Sequence, residues 1–101
     1  MSKESVDQKM DECYDMIESG YFVEAVHRLK LLKIRFPEDI VKDVNSWEKE
    51  HDETLNNRIK TIKESKAQPF VMEHEIKKQE NMYALEYYKY YNKIRKEYDI
   101  D

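Results

Sequence analysis

The chain has 101 residues, a formal net charge of −4, 40% charged side chains, one glycine and two prolines. That length allows one domain with a modest core, about two-thirds of the unfolded surface, and so little Gly and Pro excludes an all-β fold, which needs many turns. The mild acidic balance disfavours a general nucleic-acid binder, which carries a clear basic excess, and is too weak for a mimic of DNA.

Four helical segments follow in chain order. The first is predicted from about residue 5 to 19, with Val6, Met10, Cys13, Tyr14 and Ile17 on one face and Asp7, Asp11, Asp15 and Glu18 on the other. Gly20 ends it, because glycine readily takes the left-handed conformation of a helix C-terminus. The second spans about 21–36, with Phe22, Ala25, Leu29, Leu32 and Phe36 as its stripe and Val26 at the edge; the residue before Pro37 is pushed out of the helical region. The third starts near Pro37 or Glu38 and runs to Lys66, roughly 40 Å at about 1.5 Å per residue. Its stripe is Val44, Trp47, His51, Leu55, Ile59 and Ile62, with Glu48 at the edge. After a turn around Pro69, the fourth runs from about 70 to 98 with Met72, Ile76, Tyr83, Tyr87, Tyr90, Ile94 and Tyr98 in line. The last two match in length and are joined by a short turn, so they form a long antiparallel hairpin. The expected fold is all-α: a single domain over 1–101 in which a short hairpin (5–36) packs on a longer one (38–98).

Charge supports these boundaries. Residues 21–36 carry one acid and four bases, 38–53 seven acids and two lysines, and 58–66 one acid and four bases. Acids near a helix start and bases near its end complement the macrodipole. The single cysteine, Cys13, allows no internal disulfide and fits a reducing cytosol. The first residues lack the apolar core of a signal peptide, and no apolar run approaches the roughly 20 residues of a membrane span. A cytoplasmic location is therefore expected, with no membrane partner. Abundant Lys, Ile, Asn and Tyr beside sparse Gly, Ala, Pro and Arg is the bias of AT-rich genomes, such as those of many phages and low-GC bacteria.

The stretch GYFVEAVHRLKLLKIRFP, residues 20–37, resembles the second half of a tetratricopeptide repeat. Gly20 falls at the turn between helices, Ala25, Leu29 and Leu32 match packing positions of the second helix, and Pro37 matches the closing proline. Cys13 supplies a small residue where the first helix approaches its neighbour. Lys9 and Glu12 stand where the family has apolar residues, and no second copy follows. The resemblance covers about a third of the chain. It implies protein binding, although such repeats normally bind through several stacked units.

Catalytic and metal motifs are incomplete. Glu24-Ala-Val-His27 and Glu48-Lys-Glu-His51 each place a carboxylate and an imidazole on one helix face, as di-iron bundles do. Glu24 and His27 lie off the apolar stripe, so only one pair points inward and His51 is expected to be half-buried beside Trp47. His74-Glu-Ile-Lys-Lys78 begins like a zinc-protease motif, with Lys78 in place of the second histidine. Cys13, on an apolar stripe, reads as a structural thiol. No catalytic, metal or cofactor site is expected, and the chain is read as a non-enzyme.

The tyrosine-rich end of the last helix poses a choice. Tyr83, Tyr87, Tyr90, Tyr91 and Tyr98 cluster with Ile76 and Ile94, which predicts packing on the third helix with hydroxyls at the rim. Lys89 and Lys96 fall on the opposite face, whereas base stacking beside phosphate contacts needs rings and cations on one surface; only Tyr88 near Arg95 offers both. Met82 and Leu85 lie off the stripe and imply a second neighbour, either the short hairpin or another chain. The expected function is non-enzymatic binding of another protein, as adaptor, regulator or inhibitor, with self-association as a variant. Its expected contacts are Met82, Leu85, Tyr88, Lys89 and Arg95. The alternative is a nucleic-acid-associated accessory protein using Lys60, Lys63, Lys66, Lys93 and Lys96.

Overall fold

A computed structural model describes residues 5–100 and shows an all-α fold of four helices. The first, α1 (Val6–Glu18), begins at Ser5, whose hydroxyl accepts from the Gln8 amide at 3.1 Å. It ends at Gly20, with φ of 91°. The Gly20 amide donates to the Ile17 carbonyl and the Tyr21 amide to that of Met16, the paired bonds that satisfy a helix end when the residue beyond it is left-handed.

The second helix is shorter than its periodicity predicts. α2 covers Phe22–Leu31, and Leu32–Arg35 winds on as a 3₁₀ turn. Phe36 is extended (φ −88°, ψ 146°), as its position before Pro37 demands. The long helices are α3 (Glu38–Glu64) and α4 (Pro69–Glu97), with Lys66 left-handed in the turn between them.

The last helix, α4, organises the fold by packing against α1, α2 and α3. Val6, Met10, Cys13 and Ile17 of α1 and Ala25, Val26 and Leu29 of α2 close on Ala84, Tyr87, Tyr91 and Ile94 of α4. Leu32, Phe36, Ile40 and Val44 complete the core. Along α3 the last buried residue is Glu48, and along α4 the first is Ala84. From 49 to 83 the long hairpin buries its apolar side chains only partly, Leu55, Ile59, Ile62, Met72 and Ile76 among them. Two helices alone cannot enclose a core, so this half projects as an arm from an elongated molecule of 50 × 27 × 19 Å. Among the described residues no helix is long and apolar enough to cross a membrane.

Four side chains depart from the sequence expectation. Tyr14, placed on the apolar face of α1, is exposed. Tyr98 is exposed rather than part of the stripe. Val26, placed at an edge, is buried. Glu48, also placed at an edge, is a buried carboxylate, because Tyr91 of α4 and Lys33 of the 3₁₀ turn close on its two oxygens.

Candidate functional site

Two features compete for attention: a polar layer inside the helices and a groove on their surface. The polar layer is built by α3. The Tyr91 hydroxyl donates to Glu48 Oε2 at 2.5 Å and the Lys33 ammonium to Oε1. One turn further, Asp52 accepts from the hydroxyls of Tyr83 and of Tyr87, the latter at 2.7 Å, and from Lys30 at 3.2 Å. The tyrosine hydroxyls therefore meet inward carboxylates rather than the rim. Burial pushes the Asp52 carboxyl up, but the bonds from Tyr83, Tyr87 and Lys30 outweigh it and hold the acid below its ordinary 3.8. Burial, reinforced by the same carboxylates, pushes the hydroxyls of Tyr83, Tyr87 and Tyr91 well above the usual tyrosine range.

Beside this layer four rings stack in a row. Trp47 lies on Tyr90 at 4.0 Å and on His51 at 4.5 Å, and His51 lies on Tyr83 at 5.2 Å. Tyr87 meets Trp47, His51 and Tyr83 edge-on, the arrangement the ring quadrupole favours. His51 Nε2 sits 2.9 Å from a Glu86 carboxylate oxygen, without the alignment of a hydrogen bond. Among the described residues no three His, Cys, Asp or Glu side chains gather as metal ligands. Each carboxylate of the layer already has protein partners, so the layer serves the packing of α3 on α4.

The groove belongs to the short hairpin. A cleft of about 480 Å³ runs between α1 and the end of α2, lined by Lys9, Glu12 and Cys13 on one wall and by Arg28, Leu31, Leu32, Ile34 and Arg35 on the other. Leu31 is 63% exposed and Ile34 89%. Burial pushes the Cys13 thiol up to about 11, against the nearby Arg28, so the groove has a neutral sulfur in its floor.

The residues expected to meet a partner divide among several roles. Tyr88 packs its ring on Tyr14 at 5.2 Å. Arg95 binds Asp7 at 2.9 Å and Asn92 at 3.2 Å. Both thereby belong to the seam between α1 and α4. Leu85 is half-buried against the core, whereas Met82 and Lys89 are exposed. Lys60, Lys63 and Lys66 lie at the tip of the arm and Lys93 and Lys96 near the C-terminal end of α4, all exposed. About 40 Å of helix separates these groups at about 1.5 Å per residue, so they form no single basic surface. Glu24 and His27 face solvent, and His51 is half-buried on Trp47, as expected.

Comparison with protein-family models, with curated proteins and with solved structures finds no match.

Sequence periodicity did not single out Leu31 and Ile34. The signal was the run Leu29-Lys-Leu-Leu-Lys-Ile-Arg-Phe36, which holds more aliphatic residues than one helical stripe can bury.

Proposed function

We propose that the chain is a non-enzymatic, cytoplasmic helical module that binds another protein through the groove between α1 and the end of α2. The exposure of Leu31 and Ile34 beside that groove supports this most directly. Burial of a side chain of this size is typically worth about 1.5–3 kcal/mol, and a chain with so limited a core gains by covering both. Adaptor, regulator and inhibitor are the roles open to such a module, and its composition fits a phage or a low-GC bacterium as source. Affinity capture from native cells, repeated with nuclease and at high salt, tests the function. A protein that stays bound under both conditions supports it. Capture abolished by nuclease, with a steep salt dependence of DNA or RNA binding, replaces it with a nucleic-acid accessory role.

A further inference from the structure

Resting on the protein-binding function proposed above, we infer that the groove takes an amphipathic segment of the partner in which acidic side chains flank two or three apolar anchors. The apolar part follows from helix winding. In the 3₁₀ turn, side chains three positions apart eclipse one another. Leu31 and Ile34 therefore stand on one strip, while Leu32 and Phe36 stay in the core. A groove of about 480 Å³ is within the range, about 300–1,000 Å³, of sites that enclose a ligand, and a helix laid in a groove presents anchors at matching spacing.

The charge follows from which bases are engaged. Lys30 and Lys33, on the inner side of the same segment, are held by Asp52 and Glu48. Arg28 and Arg35 flank Leu31 and Ile34 and form no ion pair among the described residues. Glu12 is the one acid in the lining, against the two arginines Arg28 and Arg35. A net −4 chain thus presents a locally positive rim around its most exposed aliphatic side chain. Guanidinium groups bind carboxylates in paired, directional bonds, so acids beside apolar anchors complement this rim and basic segments are repelled.

Selection of a phage-displayed library of random short peptides on the wild-type protein tests the inference, followed by titration of the selected peptides against Arg28→Glu/Arg35→Glu and against Ile34→Asp. Acidic sequences with spaced apolar residues are expected, with affinity reduced at least about tenfold in either variant. Should the double reversal fail to fold by circular dichroism, Ile34→Asp carries the test alone, since the site is almost fully in solvent. Selected sequences that are neutral or basic, binding that survives both variants, or no enrichment at all overturns the acidic groove. None of these outcomes disturbs the protein-binding function itself, which the capture experiment decides separately. A wild-type dimer in sedimentation that Ile34→Asp dissociates also overturns it, giving the groove to a second copy.

Discussion

Replacing Tyr91 by phenylalanine removes one oxygen from a buried polar contact and nothing else. The tyrosine is fully buried, and its hydroxyl lies 2.5 Å from Glu48 Oε2. The Glu48 side chain is 7% exposed, and Lys33 holds its other oxygen. The ring keeps its contact with Phe36 at 5.4 Å, so the loss is the hydrogen bond alone. A bond to a charged acceptor contributes about 1.5–3 kcal/mol. At about 4–8 °C per kcal/mol for a domain of this size, Tyr91→Phe lowers Tm by roughly 6–24 °C. The range narrows in a double-mutant cycle. With Glu48→Gln the acceptor is neutral, and removal of the hydroxyl then costs about 0.5–1.5 kcal/mol, leaving a coupling of about 1 kcal/mol or more. Urea unfolding followed by circular dichroism measures all four proteins. A Tyr91→Phe loss below about 0.5 kcal/mol, or no coupling to Glu48, refutes the buried carboxylate–tyrosine layer.

Three further outcomes are expected. The Asp52 carboxyl is held below its ordinary 3.8 when folded, so its contribution is complete above that pH and lost as pH falls further. The hydroxyls of Tyr83, Tyr87 and Tyr91 are held above their ordinary 10.0, so their contribution is lost as pH rises past 10. Urea midpoints should therefore fall at both extremes, and Asp52→Asn should flatten the acid limb. A Cys13 thiol moved from 9.0 to about 11 holds about a hundredfold less thiolate at pH 8. Alkylation by iodoacetamide should be slower by at least that factor in the native protein than in urea, and equal rates would contradict its burial. Leu85→Lys places a charge against the core and should lower Tm by several degrees, while Met82→Lys, at a site 41% exposed, should leave it unchanged.

The extent to which the molecule was legible in its sequence differs by element. On α1 the 3-4 spacing named all four buried residues, Val6, Met10, Cys13 and Ile17, because a short helix packed on one side obeys a single stripe; Tyr14, named with them, is exposed at the edge of that stripe. Gly20 and Pro37 marked real ends, since both act through the backbone alone. The α4 stripe was less complete. Tyr91, named in the tyrosine cluster, is buried, but Ala84 is buried without having been named and Tyr98 is exposed, because α4 meets three helices and its apolar face is wider than one stripe. Glu48 was unreadable as a buried group. Its burial depends on Lys33 and Tyr91, 15 and 43 residues away, and no local pattern reports such partners. The groove was hidden for a related reason: periodicity left Leu31 and Ile34 off the stripe, but no local pattern reports whether another helix covers an off-stripe face, and both are exposed.

Site-specific photocross-linking in native cells decides whether the groove is where a partner protein binds. A benzoylphenylalanine in place of Ile34 reports on the groove, and one in place of Met82 reports on the outer face of α4. A discrete protein adduct is expected from position 34, lost when Arg28→Glu and Arg35→Glu are added, and none from position 82. An adduct from position 82 without one from position 34, or a position-34 adduct to nucleic acid alone, would contradict protein binding at the groove.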